Sequence, residues 1–381
     1  MQRRARVESP SRKAAVTIKD VAARAGVSTA TVSRVLSGIE GAGSQHRRQV
    51  IQAVQDLDYH PNRLARGLRA RQRKLIGVMI PDLQNPFFTG AARGVENVLC
   101  EAGYTLLLGH SDGLAEREQT HLGVLRGEGA AGLVLIPGNG PGASYELLRA
   151  WDIPVVAVDR APAGLEVDLV TCANREGARQ AVAHLLSLGH REIGLINGPE
   201  PFDVARERLA GYQEALSDSG VTVQAPLIVH SDFRQAGGFA AMNTLLDLPS
   251  PPRAVLIANN LMTLGALQAI HERGLRIPED VAVVSFDDMP WAASLRPPIT
   301  AVAQPAEELG RTAAQLLLER LQDPHRLVRR VILPTRLVIR ASCGALPAER
   351  ASGQAGDPED DPRRSLIGAE SPAQLQPNCL T

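Results

Sequence analysis

Residues 17–36 read TIKDVAARAGVSTATVSRVL. Two short helical patterns flank a Gly-Val turn, and each opens on a residue that can cap it. Thr17 can cap the first helix, with Asp20 at its third position to complete a box. Val21, Ala22 and Ala25 fall on one face at helical spacing, and Gly26 suits a left-handed turn. Ser28 can cap the second helix, whose Val32, Val35 and Leu36 point inward. Its outward face is then Thr29, Ala30, Thr31, Ser33 and Arg34: small groups, hydroxyls and one cation. Such a face enters a major groove without steric conflict and hydrogen-bonds to bases and phosphates. The expected motif is a helix-turn-helix, and its expected partner is DNA. The alternative, a helical hairpin buried in a core, makes no demand on charge.

Charge separates the two. Residues 1–74 hold 16 Lys+Arg against 5 Asp+Glu, and residues 75–381 hold 25 against 36, so a net charge of zero hides a cationic head on an acidic body. Counterion release from phosphate explains a head of that sign.

At 381 residues, 44% of them hydrophobic, the chain can bury a large core in two or three domains. Only 3% are aromatic, so that core is aliphatic. No apolar run approaches the eighteen or so residues of a membrane span. The basic N-terminus, MQRRARVESPSRKAAV, lacks the apolar stretch of a secretory signal and reads as a disordered arm over 1–15. Cys100, Cys172, Cys343 and Cys379 form no CxxC pair and no metal spacing. The first three lie in apolar or helical surroundings and are expected as buried thiols of a reducing, cytoplasmic compartment. No metal or cofactor is expected. Residues 344–381 turn to Pro, Ala, Gly, Ser and charge without an apolar period or a leucine heptad, and read as a disordered tail.

After the helix-turn-helix, residues 44–58 (SQHRRQVIQAVQDLD) predict a third helix, with Ser44 as cap and Val50, Ile51, Val54 and Leu57 as its apolar face. The head is thus expected over 16–60. Tyr59-His60-Pro61-Asn62 breaks it, and RLARGLRARQRK follows. Asn62 can cap a short helix over 63–69 with Leu64, Ala65 and Leu68 on one side; Gly67 costs that helix about 1 kcal/mol. Residues 61–73 read either as a plain basic linker or as a hinge that orders when paired with a second copy on DNA, with Leu68 as a minor-groove wedge.

From Leu75 onward ten apolar runs alternate with amphipathic helical segments: LIGVMIPD, YTLLLGHS, GLVLIP, VVAVDR, LVTCAN, EIGLING, LIVHSDF, AVLIANN, VAVVSF and ITAVAQ. Continuous apolar character suits parallel strands buried on both faces, and repeated βα units give doubly wound α/β sheets. Ten strands divide best into two lobes. The expected bounds are 74–172 with 304–334 for the first and 173–303 with 335–343 for the second. The runs end in Asp82, His110 to Asp112, Asp159-Arg160, Asn174, Asp232-Phe233, Asn259-Asn260, Asp287-Asp288 and Gln304. Ligands of open α/β sheets bind outside the carboxyl ends of the strands. Two facing lobes would therefore close a cleft of carboxylates, amides and a few aromatics, suited to a small hydroxyl-rich molecule. About half of these polar residues are expected to be ordinary turn and cap residues.

TIKDVAARAGVSTATVSRVL, YHPNRLARGLR, IPDLQNPFF, RERLAGY and SFDD together resemble the lac-repressor/galactose-repressor family of bacterial transcription regulators, over roughly residues 16–343. The resemblance implies an all-α helix-turn-helix head on a body of two periplasmic-binding-protein-like lobes. It places Thr29, Ala30 and Arg34 where the recognition helix reads base edges, Arg34 against either a guanine or a phosphate. Thr17, Ser28, Thr31, Ser33 and Asn62 match backbone-contacting positions. Leu68 matches the leucine inserted at the operator centre, and Ala65 its helix partner. In the cleft the resemblance implies Arg208 against effector hydroxyls or carboxylate, Asp287 as an effector-binding acid, Phe233 as the covering ring and Asn259 as an amide ligand. Phe87, Phe88, Asp159 and Gln304 are weaker transfers, and Phe88 reads equally as core.

Three positions depart from the family pattern. Ala173-Asn174 replaces Asp-Asn, Asn259-Asn260 replaces Asn-Asp, and Gly67 replaces Ser or Gln. A transport receptor shares the two-lobed body but has no use for a cationic head. An enzyme finds no HExxH, GxSxG or Walker loop here; Gly138 to Gly142 lacks the Lys-Ser/Thr of a phosphate loop. Adjacent Asp287 and Asp288 on an extended chain point opposite ways and do not share a role. The expected molecule is a homodimeric, non-enzymatic repressor of a near-palindromic operator. A sugar or sugar acid is expected to set the angle between its lobes, as inducer or corepressor.

Overall fold

The computed structural model describes residues 16–36, 44–57, 74–138 and 143–344. The expected arm, the hinge with Asn62, Ala65 and Leu68, the glycine loop at 139–142 and the tail with Cys379 lie outside the described residues. The chain divides into two compact units, 1–74 and 75–381.

The first unit contains α1 (Ile18–Ala25), α2 (Thr29–Leu36) and α3 (Ser44–Asp56). The Asp20 carboxylate accepts from both Thr17 N and Thr17 Oγ1 at 2.7 Å. These two donors hold its carboxyl below the usual range. Gly26 ends α1 at φ +67°, and Val27 N reaches back to Ala22 O at 3.1 Å. Ser28 Oγ accepts from Thr31 N at 3.2 Å and so caps α2. Val21, Val32 and Val50 are fully buried and carry the core with Ala22, Ala25 and Ala53. Val35, Leu36, Val54 and Leu57 close its edge. Ile51, expected on the same face, is exposed: one residue past Val50 it is turned about 100° away, while Ala53, Val54 and Leu57 return at i+3, i+4 and i+7. Arg24 pairs with Asp56 at 2.8 Å and ties α1 to α3.

In the second unit the first sheet contains β1 (Leu75–Ile80), β2 (Thr105–His110), β3 (Gly132–Leu135), β4 (Val155–Val158), β5 (Asp168–Cys172) and β11 (Arg330–Leu333). The second contains β6 (Ile193–Asn197), β7 (Ile228–His230), β8 (Ala254–Ile257), β9 (Ala282–Phe286), β10 (Thr300–Ala303) and β12 (Arg336–Val338). Their orders, β11-β5-β4-β3-β1-β2 and β12-β10-β9-β8-β6-β7, are the same winding twice. All pairings are parallel except β10 with β12. Each apolar run of the sequence forms one of β1 to β10. The two strands that the runs did not reveal, β11 and β12, are short edge strands that begin with the exposed Arg330 and Arg336 and bury no residue fully; β11 alternates between exposed and half-buried residues.

Around the first sheet lie α4 (Pro86–Glu101), α5 (Ala115–Gly127), α6 (Ala143–Arg149) and α11 (Ala306–Gln322). Around the second lie α7 (Asn174–Ser187), α8 (Asp203–Asp218), α9 (Gln235–Leu246) and α10 (Asn260–Glu272). The chain therefore passes between lobes three times, after β5, after β10 and after β11. Helices α4 and α11 cross at glycines: a Cβ on Gly94 would stand 2.0 Å from Glu307 O, and one on Gly310 1.9 Å from Ala91 O. No larger residue permits that approach. Their aliphatic faces join β1, β3, β4 and β5 in one core, each fully buried Leu, Ile or Val contributing about 1.5–3 kcal/mol.

The fully buried Asp168 opens β5. Its oxygens accept from Arg320 Nε and Nη2 (2.7 and 3.0 Å), Arg326 Nη2 and Nη1 (2.7 and 3.0 Å) and Arg329 N (2.7 Å). Burial pushes its carboxyl up, but these donors outweigh burial and hold it below the usual range. Of the cysteines, Cys172 and Cys343 are buried, but Cys100 is exposed, contrary to expectation. It sits in the last turn of α4, where the buried stripe ends at Leu99. Asp288 turns away from Asp287 and takes a bidentate bond from Arg340 at 2.7 and 2.9 Å.

Candidate functional site

The head presents its candidate surface on α2. Thr29, Ala30 and Arg34 lie toward one side of the helix, with Thr31 and Ser33 beside them and Ser28 and Thr17 at the two helix starts. Val32 anchors the opposite side. Two threonines, a serine, an alanine and a guanidinium on one narrow helix give a surface with donors, acceptors and a methyl but no bulk. That is the chemistry that reads base edges.

In the body, the carboxyl ends of both sheets open on a cleft of about 600 Å³ at the two switch points, between β1 and β3 and between β6 and β8. All eight cleft residues singled out in the sequence line it: Phe87, Phe88, Asp159 and Gln304 from the first lobe and its crossover, and Arg208, Phe233, Asn259 and Asp287 from the second. Phe87 and Phe88, at the start of α4, meet edge to face at 5.4 Å and are also largely buried, so Phe88 packs in the core while it lines the cleft.

Asp159, Phe233 and Asp287 sit at positive φ (71°, 63° and 73°) immediately beyond their strands or turns. Non-glycine residues tolerate that region at a cost of about 1–3 kcal/mol, and sites of function are where such strain concentrates. At Asp159 the chain makes a γ-turn: Arg160 N donates to Val158 O at 2.9 Å while Thr171 Oγ1 holds Asp159 O at 2.8 Å.

Arg208 is buried on α8. Its Nε donates to Asn174 Oδ1 at 2.9 Å, its Nη1 donates to Ala258 O, and its guanidinium lies 3.9 Å above the Phe286 ring. Burial pulls its ionisation down, while the charges of Asp287 and Asp159 support it. Burial likewise pushes the Asp287 carboxyl up, opposed by Arg208 and by Gln304 Nε2, which donates to Asp287 Oδ1. That bond fixes the Gln304 amide, because only its nitrogen can face a carboxylate. Its Oε1 is then buried with no protein partner among the described residues. Asn259 is committed at both ends, as cap of α10 through Met262 N (2.8 Å) and as donor to Phe233 O (2.9 Å). Its first task is to hold the Phe233 turn; one amide hydrogen is left for anything else.

Sequence reasoning missed several cleft residues. Arg160 follows Asp159 and binds it through Nε and Nη2 at 2.9 and 2.8 Å. Asn85 Oδ1 caps α4 through Phe87 N and also accepts from Asn260 Nδ2 at 2.8 Å, a bond between lobes. Arg234 donates across the cleft to Asp112 O. The strand-end positions of Arg160 and Asn260 were visible in the sequence; that each reaches the opposite lobe was not. Among the described residues no group of His, Cys, Asp and Glu has the arrangement of a metal site, and no helix is long and apolar enough to cross a membrane.

Comparison with known proteins agrees with this arrangement. Residues 17–62 match the family model for bacterial regulatory proteins of the lacI family, and residues 182–343 match that for a periplasmic binding protein-like domain. The chain is 36% identical over 342 residues to the HTH-type transcriptional repressor CytR of Escherichia coli, covering 90% of this chain and 100% of that one. It is 33% identical to the HTH-type transcriptional repressor PurR of Photobacterium profundum, covering 86% and 98%. Among solved structures, the lac repressor dimer bound to operator and the anti-inducer ONPF matches with TM-score 0.75 and 30% identity, covering 87% and 100%. The complex of the transcriptional regulator CelR with cellobiose matches with TM-score 0.67 and 34% identity, covering 86% and 99%. The chain belongs to the lacI family of bacterial regulatory proteins.

Proposed function

We propose that the protein is a DNA-binding repressor whose operator affinity is set by a sugar or sugar acid bound between the lobes of its body. Thr29, Ala30 and Arg34 read base edges. Thr17, Ser28, Thr31, Ser33 and Asn62 hold the backbone. Leu68, with Ala65 beside it, wedges the operator centre from a hinge over 61–73. The working units are an arm over 1–15, a head over 16–60, that hinge, a two-lobed body over 74–343 and a tail over 344–381. The protein acts as a homodimer in the cytoplasm and carries out no catalysis. Its partners are a near-palindromic operator and the effector. The kinship with CytR and PurR supports the repressor reading, and the CelR–cellobiose complex supports a carbohydrate effector.

The observation that carries the effector reading is the set of groups converging on one cleft. Arg208 supplies a fixed donor, Asp159 and Asp287 supply acceptors, Phe233 supplies a ring face, and Gln304 Oε1 lacks a protein donor among the described residues. A buried acceptor without a donor costs about 1–3 kcal/mol, which a ligand hydroxyl relieves. Hydroxyls both donate and accept, and the apolar face of a sugar ring covers an aromatic.

A thermal-shift screen of sugars, sugar acids and nucleobases tests this reading. A compound at about 100 times its Kd stabilises the native state by about 2.7 kcal/mol. The same compound must change the affinity for promoter DNA. A binder that leaves DNA affinity unchanged, or a screen in which only nucleobases bind, refutes the assignment.

A further inference from the structure

Residues 324–343 carry five arginines, one histidine and neither Asp nor Glu. Three of the arginines are committed: Arg326 to Asp168, Arg329 to Glu319 at 2.7 Å and Arg340 to Asp288. Arg330 and Arg336 have no hydrogen bond or ion pair among the described residues. Each is exposed and opens an edge strand. β11 has β5 as its neighbour and β12 has β10, so the outer edge of each meets no strand among the described residues. Ile332 and Ile339 stand beside the two cations, 55% and 54% exposed. Nearby carboxylates are taken: Glu207 and Glu214, which share a cavity wall with Arg330, both bind Arg175. Edges of this kind are normally covered, and two unpaired cations set the chemistry of the cover as acidic.

The described chain ends close by. Ser342 Oγ accepts from Thr300 N at 2.8 Å and donates to Val283 O at 2.6 Å, which ties the turn at Ala341–Cys343 to the amino ends of β9 and β10, opposite the cleft. β12 runs from the cleft end of the second sheet, where Arg336 faces Ala303, toward that far end. β11 runs from the far end of the first sheet, with Arg330 beside Leu169, up to the cleft end. A segment that turns back from Gly344 therefore meets Ile339, Arg336, Ile332 and Arg330 in that order. The sequence beyond Gly344 has one acidic run, Asp357-Pro358-Glu359-Asp360-Asp361, bounded by Arg363 and Arg364. Thirteen residues separate Gly344 from Asp357, about 43–47 Å when extended. Arg330 lies fourteen residues before Gly344 on a path that doubles back at Pro334 and Thr335, so the run reaches both arginines. Pro358 and Pro362 lack an N–H, so charge rather than a backbone ladder is the attraction.

We propose that residues 357–361 dock on the outer edges of β11 and β12, pair with Arg336 and Arg330, and so strap the two lobes together across their third crossover. Exposed ion pairs are individually weak, but a tether of this length holds the acidic run at a high local concentration beside its target. β11 belongs to the first sheet and β12 to the second, and only Pro334 and Thr335 join them. An occupant of both edges therefore resists a change in the angle between the lobes. The strap lies outside the cleft and does not depend on what the cleft holds.

Disulfide trapping in the full chain tests the strap. C100S and C379S remove the exposed thiol and the tail thiol, while Cys172 and Cys343 stay buried. P358C is then combined with I332C or with I339C, and the rate of cross-linking under mild oxidation is followed by peptide mass spectrometry. A tether alone is nearly indifferent to salt, whereas exposed charges are screened, the Debye length falling from about 10 Å at about 0.1 M to about 3 Å at about 1 M. Both pairs are expected to link within one chain roughly fivefold faster at the lower salt than at the higher. R330E with R336E should slow both links by about the same factor, and adding D357K, E359K, D360K and D361K should restore them. Rates indifferent to salt and to charge reversal overturn the docking, as does a failure of the four lysines to restore them. A link to only one of the two edges overturns the strap. A link from P358C that joins two chains gives the edges to a second copy and overturns the assignment to the chain's own tail.

Discussion

Replacing Asp168 by Asn tests how the first lobe is held closed. Its carboxylate is fully buried and receives five donors: two from Arg320, two from Arg326 and the Arg329 amide. The two guanidiniums are themselves only 12% and 9% exposed, so the asparagine leaves two nearly buried cations without their counter-charge. Removing one partner of such a cluster costs about 3–5 kcal/mol. For a unit somewhat larger than about 250 residues, each kcal/mol moves Tm by roughly 2 °C, so a fall of about 6–10 °C is expected by calorimetry. The pH dependence has a definite sign. The folded carboxyl lies below its unfolded value of about 3.9, so the clamp contributes fully above that pH and is lost as pH falls through the folded value. The gap between native protein and variant should therefore stay constant from pH 8 to pH 5 and narrow only below about pH 4. A Tm within 2 °C of the native value at pH 7, or a gap that narrows already between pH 8 and 6, would refute the clamp.

Gly26→Val places a β-branched residue at φ +67° and should destabilise the head by about 1–2 kcal/mol. Circular dichroism should show the helical signal of the head melting earlier in the full chain, and no change means the turn relaxes. Arg34→Ala should relax preference at one base pair by about 1–3 kcal/mol if the contact is bidentate to guanine; a uniform loss across all operator variants, measured by fluorescence anisotropy, makes it a phosphate contact. Arg208→Ala should abolish the effector response of DNA binding while leaving operator affinity within twofold, because α8 lies far along the chain from the head; a retained response removes Arg208 from the site. Leu107 and Leu108 are exposed on β2, an edge strand of the first sheet, and edges of that kind are normally covered. L107E with L108E should shift the protein from dimer to monomer in sedimentation; an intact dimer puts the subunit contact elsewhere.

The repeated architecture was legible because buried parallel strands spell themselves out as unbroken apolar runs, from LIGVMIPD to ITAVAQ. β11 and β12 escaped because edge strands carry arginine and need bury only part of one face. Much of the cleft's lining was legible: the strand-end rule pointed to Asp159, Phe233, Asn259, Asp287 and Gln304, and the family resemblance added Phe87, Phe88 and Arg208. What remained hidden depends on proximity across the fold. Nothing in DR at 159–160 says that the arginine reaches Phe202, and nothing in NN at 259–260 says that one amide clamps the Phe233 turn while the other crosses to Asn85. The exposure of Cys100 and Ile51 turned on a rotation of about 100° along a helix, finer than a periodicity count over short helices resolves.

Because the chain shuttles between its halves three times, neither half is a continuous stretch of polypeptide. The first sheet waits for residues 330–333 to supply its last strand and for Arg326 and Arg329 to reach Asp168. During synthesis, therefore, the head can acquire its shape before the body does, whereas neither half of the sensor can be finished until residues 330–338 have been made. A newborn chain thus has the fold of its DNA-reading head before it has the cleft that would receive a metabolite.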